Sequence, residues 1–225
     1  MKIYEKRKLP DGTRVVFLFG IRLFGYASVA RGKVRDYGSG NEIRGCLRGT
    51  TVRIFGDENE IVLGAVARKF RAYISIGMPD HPVRRCQVMI GDGCSAEGLG
   101  LFLRESGSKI VIGRDCQVSN EVEIRASDGH AILDASGAAI NRGHAVRIGD
   151  HCWLGARSTI LKNVVIPDGS IVGASAVVTP SSVRDAHGEA VILAGNPARI
   201  VKRGVCWDRR RPDEFEEALP ASASR

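Results

Sequence analysis

The feature that most constrains the fold is a six-residue period in the second half of the chain. Every sixth residue from Ile148 is aliphatic: Leu154, Ile160, Ile166, Val172 and Val178. Glycine often follows this position, at Gly149, Gly155 and Gly173. Such a period is neither helical nor a simple strand alternation. It predicts coils with flat sides six residues long, each a short strand plus a turn, stacked into a parallel β-helix.

The same repeat extends upstream and carries a second set of inward positions. Earlier copies begin at Ile112 and Ile90, with weaker ones from Ile61 and Ile54. Four residues after the aliphatic position the occupant is always small: Cys94, Cys116, Val122, Cys152, Ser158, Val164, Ser170 and Ala176. We predict that this is a second buried slot, and that its three cysteines are free, unreactive core residues. Free buried thiols favour a reducing compartment.

The repeat also divides the chain. We expect an N-terminal capping segment over residues 1–45, coils over 46–180, and a C-terminal segment over 181–225 that contains a short helix in "PDEFEEAL". Both terminal segments would cover the strand edges that an open solenoid exposes. The period is lost in "IRASDGHAILDAS", residues 124–136, where His130 follows Gly129 and precedes a short apolar run. We therefore predict a loop around 125–145.

Composition limits the partners. The chain has 225 residues, 44% of them hydrophobic, which suffices for one sizeable domain. Its net charge of +8 suits an anionic partner. Aromatic residues make up only 6% and do not interleave with a basic patch, which argues against nucleic acid. The apolar run 15–30 is interrupted by Arg22, so we expect strands there and at most a peripheral membrane contact.

The run "AVRIGDHCWLGARSTILKNVVIPDGSIVGASAVVTP" with "AGNPARIVKR" resembles the hexapeptide-repeat acyltransferase superfamily, over roughly residues 46–203. The resemblance implies an all-β, left-handed parallel β-helix, a homotrimer, and acetyl-CoA as acyl donor with no metal. Within that superfamily, "SDGHAILD" followed by "IGDHCWLG" resembles bacterial O-acetyltransferases that modify capsular polysaccharide, polysialic acid or lipopolysaccharide sugars. With no second apolar run of comparable length, we expect a bacterial cytoplasmic enzyme with at most a peripheral contact to the inner face of the membrane.

The resemblance assigns roles to matching residues. His130, in the 125–145 loop, takes the place of the general base, and Trp153 that of the tryptophan lining the acetyl site at a subunit boundary. The remaining assignments concern the donor: Gly155, Ala156, Gly173 and Ala174 beside the pantetheine arm, Arg199 and Lys202 near the nucleotide phosphates, and Thr179 after the last coil. Pro180 follows Thr179 where some relatives have a lysine, so that basic contact is missing or replaced.

These observations predict an acetyl-CoA-dependent O-acetyltransferase acting on a hydroxyl of a surface polysaccharide or its sugar building block. The predicted acceptors include anionic polysaccharides. Two alternatives stay open: an N-acetyltransferase on a nucleotide-linked amino sugar, and a non-catalytic β-helical scaffold that binds a glycan or a protein. A metal site using His130, His144 and a histidine of another subunit is disfavoured, because tight ligand spacing is not visible. Neither Asp128 nor Asp134 can be chosen from sequence as the residue that orients His130.

Overall fold

A computed structural model describes the backbone of residues 4–8, 13–18 and 21–27, and residues 32–67 and 69–216. Within these residues there are 21 strands and two short helices. In chain order they are β1 Tyr4–Lys8, β2 Thr13–Leu18, β3 Ile21–Ala27, β4 Lys33–Asp36, β5 Glu42–Gly45, β6 Thr50–Ile54, β7 Glu60–Leu63, β8 Phe70–Ile76, β9 Gln87–Ile90, β10 Ser95–Leu103, β11 Lys109–Ile112, β12 Gln117–Val118, β13 Val122–Arg125, β14 Ala145–Ile148, β15 Trp153–Leu154, β16 Thr159–Ile160, β17 Val165–Ile166, β18 Ile171–Val172, β19 Val177–Val178, α1 Pro180–Val183, β20 Val191–Gly195, β21 Ala198–Arg203 and α2 Asp213–Glu216.

Strands β4 to β20 form a three-sided prism of stacked parallel coils. Face A holds the start of β10, then β12, β15, β18 and β20. Face B holds β4, β6, β8, the rest of β10, β13, β16 and β19. Face C holds β5, β7, β9, β11, β14 and β17. The chain runs from A to B to C in each coil, so a residue's place in the hexad decides which corner it occupies.

The hexad pattern builds the core as predicted. The aliphatic positions from Ile148 to Val178 are buried, each with 2% exposure or less. The second slot is equally closed: Cys94, Cys116 and Cys152 are at most 1% exposed, and Ser158 and Ser170 are fully buried. Because each coil stacks directly on the next, a larger side chain in this slot would meet the coil above or below it. All six cysteines are free.

The coils extend further in both directions than the predicted limits of 46 and 180. Upstream, β4 pairs in parallel with β6 and β5 with β7, so coils begin by Lys33. The hexad signal is weak there, because polar residues occupy most of β4 and β5. Downstream, β20 continues face A after β18. Strand β21 then reverses direction and pairs antiparallel with β20 along the edge of the last coil.

The terminal segments each have some regular structure. Strands β1, β2 and β3 form a separate antiparallel sheet, which places strands in the apolar run 15–30 as expected. Helix α2 occupies the first half of the predicted "PDEFEEAL" helix, and residues 217–225 lie outside the described part of the chain. No helix in the described ranges is long and apolar enough to cross a membrane.

Candidate active site

The predicted interruption is a hairpin-like loop, residues 126–144, that leaves the prism at the corner between face B and face C. It connects β13 to β14. Leu133 bridges Ala139 across the hairpin, and the backbone N–H of Ile140 donates to the Ile132 carbonyl at 2.9 Å. Gly129 has φ +85°, a left-handed conformation that glycine adopts without strain, so the chain turns just before His130. His130 is exposed on this loop.

Asn141 ties the two limbs of the loop together near His130. Its Oδ1 accepts the Ile132 backbone N–H at 2.8 Å, and its Nδ2 donates to the His130 carbonyl and to Asp128 Oδ2, each at 2.8 Å. Asp128 also pairs with Lys162. Burial alone would raise the pKa of Asp128, but the hydrogen bonds from Lys162 and Asn141 hold it below its usual value. The carboxylate therefore stays ionised in the physiological pH range.

A cavity of about 250 Å³ opens beneath this loop. Its wall includes His130, Asp128 and Asn141 from the loop, with Arg104 and Glu105 from the preceding coil. Arg104 is held in place because its guanidinium donates to the carbonyls of Ser75 and Gly77 at 2.9 and 2.8 Å. The wall of the cavity thus combines basic, acidic and amide side chains with His130.

Trp153 lies on another side of the prism, on face A. Its side chain points outward from β15 and the residue is 37% exposed. The indole Nε1–H faces Ser119 Oγ at 3.4 Å, a long hydrogen bond that leaves this donor weakly engaged. In the register of face A, Trp153 pairs with Ile171 of β18, and Ile171 pairs with Ile192 of β20. Ile192 in turn pairs with Lys202 of β21. Trp153 and Lys202 therefore share one column, three strand spacings or about 14 Å apart.

A second column runs along the neighbouring corner between faces A and B. We call it the A/B strip, and it comprises Gly155, Ala156, Gly173, Ala174, Ala194 and Arg199. Gly155 donates its N–H to the Val172 carbonyl, and a Cβ on Gly155 would lie 2.8 Å or less from the backbone of Gly173 and Ala174. Ala194 pairs with Arg199 across the β20–β21 ladder. Small residues thus keep this corner flat. Arg199 ends the A/B strip, and Lys202, on the same strand, ends the neighbouring Trp153 column.

Thr179 is not on the A/B strip. It follows β19 on face B and precedes helix α1. Its hydroxyl lies 2.8 Å from Ser181 Oγ and 3.1 Å from Ser182 Oγ, in the turn that begins the helix. These contacts are those of a residue that starts a helix after the last coil, and they do not connect Thr179 with Trp153 or Lys202.

Within one chain, His130 and Trp153 are not brought together. The loop carrying His130 leaves the B/C corner, whereas Trp153 faces outward from face A. Three apolar side chains on the loop are largely exposed: Ile132 at 55%, Leu133 at 58% and Ile140 at 63%. A projecting hairpin with an apolar surface of this kind is typical of a contact with another protein surface.

A cluster that the sequence pattern did not reveal lies beside Trp153. The C-terminal segment 205–211, which we call the strap, crosses the corner between faces C and A. Trp207 lies 6.1 Å from Trp153 between ring centroids and stacks on His151. Arg209 pairs with Asp115 at 2.8 Å. Only the position of a second tryptophan after the coils could have signalled this contact, and its spacing matches no period.

Among the residues that the structure describes, no group of three or more histidine, cysteine, aspartate or glutamate side chains is placed to hold a metal ion. His130 and His144 belong to opposite limbs of the loop.

Comparison with known proteins identifies the repeat. Residues 145–180 match the family described as bacterial transferase hexapeptide (six repeats). The matched residues form coils of the β-helix, so these coils consist of hexapeptide repeats. The chain is also similar to bacterial proteins named polysialic acid O-acetyltransferase.

Two curated relatives carry this similarity. The polysialic acid O-acetyltransferase of Escherichia coli O1:K1 is 35% identical over 113 residues, which cover 50% of this chain and 35% of the relative. The polysialic acid O-acetyltransferase of Neisseria meningitidis is 42% identical over 111 residues, 49% of each chain. The chain thus spans half or less of the length of these relatives in the matched regions.

Solved structures extend the likeness to most of the fold. The polySia-specific acetyltransferase NeuO superposes with a TM-score of 0.60 at 25% identity, covering 84% of this chain and 92% of that one. The polysialic acid O-acetyltransferase OatWY gives a TM-score of 0.52 at 23% identity, covering 80% and 89%. These likenesses confirm the predicted fold class, a left-handed parallel β-helix with a C-terminal extension and short helix.

Proposed function

We propose that this protein is an acetyl-CoA-dependent O-acetyltransferase that acts on a hydroxyl of a surface polysaccharide or its sugar building block. The observation that carries the proposal is the register of face A and its corner. Trp153 and Lys202 share one column, and Gly155, Gly173 and Arg199 lie along the adjacent strip. Residues assigned to the donor from separate stretches of sequence thus form one continuous surface.

This surface fits the donor. The A/B strip is flat because its corner residues are glycine and alanine, which leaves room for a slender, extended arm to lie against the coils. Arg199 and Lys202 are exposed at the far end, where cationic side chains pair with phosphates. Trp153 lies at the other end, where its ring can pack against the acyl group. The bound donor supplies an acetyl thioester, whose carbonyl carbon is the electrophile.

His130 provides the base. The acceptor hydroxyl is a weak nucleophile until a positioned base takes its proton as it attacks. In our proposal, the imidazole accepts that proton while the new C–O bond forms, and returns it to sulfur as the C–S bond breaks. The products are an acetyl ester and a free thiol, so charge and protons balance with no acyl-enzyme. Both substrates must be held in one cleft for this direct transfer.

The cleft forms between two copies of the chain. His130 and Trp153 face different sides of one prism, and the His130 loop projects with Ile132, Leu133 and Ile140 exposed. In a homotrimer, the loop of each chain reaches face A of the next chain, and this head-to-tail contact closes into a ring. Each of the three interfaces then contains one His130 and one Trp153. Burial of the loop's apolar side chains stabilises the same contact.

We propose an anionic polysaccharide as the acceptor. The relatives in E. coli O1:K1 and N. meningitidis act on polysialic acid by their names, and polysialic acid carries a carboxylate on every sugar. A net charge of +8 attracts such a polymer. The cavity below His130 supplies Arg104 together with carboxylate and amide groups that can bind hydroxyls.

The test is chromatographic measurement of free coenzyme A and acetylated glycan from acetyl-CoA. The acceptors are polysialic acid, neutral capsular saccharides, a nucleotide-linked amino sugar and buffer alone. We expect glycan-dependent release that falls at least about a hundredfold in His130→Ala. His81→Ala, an exposed histidine that does not line the cavity, is the matched control and should keep full activity. Transfer to the amino sugar alone would replace the proposal with N-acetylation. No release and no binding of acetyl-CoA would favour a non-catalytic scaffold.

A further inference from the structure

We propose that Lys162, acting through Asp128 and Asn141, is a positioning residue that holds the His130 limb of the loop in its reactive place. This inference rests on the proposed function, because it assigns a role to His130. It gives a role to Lys162 and Asn141, to which the sequence resemblance assigns none.

The anchor starts in the next coil. Lys162 follows β16 at the B/C corner, one coil beyond the corner from which the loop leaves. Its side chain is 19% exposed and that of Asp128 is 35% exposed, and the two form an ion pair. A partly buried pair is screened less by salt than a surface pair. Lys162 is therefore fixed to the prism while its partner, Asp128, belongs to the outgoing limb only two residues before His130.

Asn141 transmits this anchor to the histidine. One amide group bonds to three places: the Asp128 carboxylate, the His130 carbonyl and the Ile132 N–H, all at 2.8 Å. The backbone on both sides of the His130 side chain is therefore held by the same residue. Because Asp128 Oδ2 meets both Lys162 and Asn141, the four groups form one connected network from the prism to the histidine backbone.

The other candidate, Asp134, has a separate task. Its Oδ1 accepts hydrogen bonds from the backbone N–H groups of Ser136 and Ala138 at 2.9 and 3.0 Å and from the Ser136 hydroxyl at 2.6 Å. These bonds shape the turn at the tip of the hairpin. The structure therefore separates two aspartates that look equivalent in the sequence: Asp128 faces the anchor, and Asp134 closes the tip.

The return limb of the loop is attached to the prism by separate hydrogen bonds, so Lys162 anchors only the outgoing limb. Asn163 Oδ1 accepts the His144 N–H at 2.9 Å, and its Nδ2 donates to the Arg142 carbonyl at 3.2 Å. Loss of Lys162 thus leaves the foot of the loop attached to the prism. It frees the outgoing limb, where displacement of a base by about 1 Å can cost on the order of a hundredfold in rate.

The test compares Lys162→Met with Lys162→Arg, Asp134→Asn and Lys109→Met. Lys109 is an exposed lysine of β11 with no assigned role, and serves as the matched control. Each variant receives steady-state kinetics and hydrogen–deuterium exchange of residues 128–132. For Lys162→Met we expect kcat to fall about tenfold or more, an unchanged KM for acetyl-CoA, and faster exchange of Ile132. Lys162→Arg should restore kcat to within about threefold, because it keeps the cation. Asp134→Asn and Lys109→Met should stay near wild type.

The outcomes separate the inference from the proposed function. Normal kcat in Lys162→Met, beside an inactive His130→Ala, would overturn the positioning role and leave the function standing. Faster exchange without a change in kcat would overturn it too, as would equal losses in Lys162→Met and Asp134→Asn. A rise in KM that accounts for the whole loss would place the defect at the donor site and reject the proposal. A wild type without any transfer activity would overturn the function and this role with it.

Discussion

The indole of Trp207 stacks on the imidazole of His151, with ring centroids 4.4 Å apart and planes 10° from parallel, and its Nε1–H donates to the His151 carbonyl at 2.6 Å. His151 Nε2 lies 3.1 Å from the Trp207 carbonyl in return. The strap thus attaches to the coils through reciprocal contacts between two residues. Its indole is only 9% exposed and lies beside Trp153, so the strap forms one side of the proposed acyl site.

Replacing Trp207 with alanine should release the strap while leaving the coils folded. The side chain provides the stacking, the hydrogen bond and most of the apolar burial in this segment, and Trp→Ala changes at buried sites cost about 3–5 kcal/mol. We expect brief trypsin treatment, analysed by mass spectrometry, to cleave the variant after Arg209 and Arg210 much faster than wild type. Val201→Ala, which removes a 61% exposed apolar side chain from β21, outside the strap, should not change that rate. Equal cleavage of both variants would contradict this role for Trp207.

Attachment of the strap should weaken as the pH rises above about 6.5. The hydrogen bond to the Trp207 carbonyl raises the pKa of His151, and burial lowers it by a smaller amount. The carboxylate of Asp115, whose Oδ2 lies 2.7 Å from His151 Nδ1, raises this pKa further. A raised folded pKa means stabilisation that is complete below the unfolded pKa and lost as pH climbs through the folded one. The protection factors of the amides of residues 205–211 against hydrogen exchange, compared between pH 5.5 and pH 8.5, would measure this weakening. His151→Gln should remove it, and an unchanged pH dependence in that variant would reject His151 as the titrating group.

Mixing two inactive variants should restore activity if the site spans two copies of the chain. His130→Ala keeps Trp153, and Trp153→Ala keeps His130. In a random trimer of equal parts, about one quarter of the interfaces would pair an intact loop with an intact face A. Co-refolded mixtures should therefore recover roughly that fraction of wild-type activity, against none for either variant alone. No recovery, with mixed trimers verified by mass spectrometry, would place both residues in one chain's site.

Gly143 should tolerate alanine poorly because the two feet of the loop meet there. A Cβ on Gly143 would lie 2.2 Å from the Ala126 carbonyl oxygen, which forces the limbs apart. We expect a loss of about 1–3 kcal/mol in unfolding free energy together with reduced transfer. Gly137→Ala is the control: its Cβ meets nothing within 4 Å, although φ is +83°. Chemical denaturation should show only the cost of about 1–2 kcal/mol for that left-handed residue.

Thiol reagents should distinguish the cysteines by position. Cys206 is exposed and Cys46 half-buried, whereas Cys86, Cys94, Cys116 and Cys152 are buried. The hydrogen bond with Cys152 raises the pKa of Cys116 to about 12, so almost no thiolate is present at neutral pH. We expect native protein to label first at Cys206 and then at Cys46, with the other four reacting only after unfolding. Peptide mapping would check this order, and early labelling of Cys116 would contradict the small-residue slot.

The six-residue period predicts the coils because every sixth side chain must be apolar to point into the shared core. Leu154 is buried for that reason, Ser158 occupies the second buried slot, and their sequence spacing alone locates them. Strands β4 and β5 escaped the pattern, since their outward residues are charged and few aliphatic residues mark the inside. The sequence pattern locates the loop but does not predict its internal contacts. Asn141, for example, donates a hydrogen bond to the His130 carbonyl, and no periodic pattern marks such a bond. The strap depends on contacts between residues 56 apart, such as His151 and Trp207.

Strand β21 has a consequence for the protein's behaviour in a crowded cell. A stack of parallel coils can in principle add another chain's coil at its open end, and such growth yields fibres. Here the last coil receives its own chain as the next strand, in the opposite direction. The outer edge then presents Arg199 and Lys202, whose like charges repel a second copy of the same edge. On face A, strand addition at the end of the prism is thereby opposed by the residues that we assign to phosphate binding.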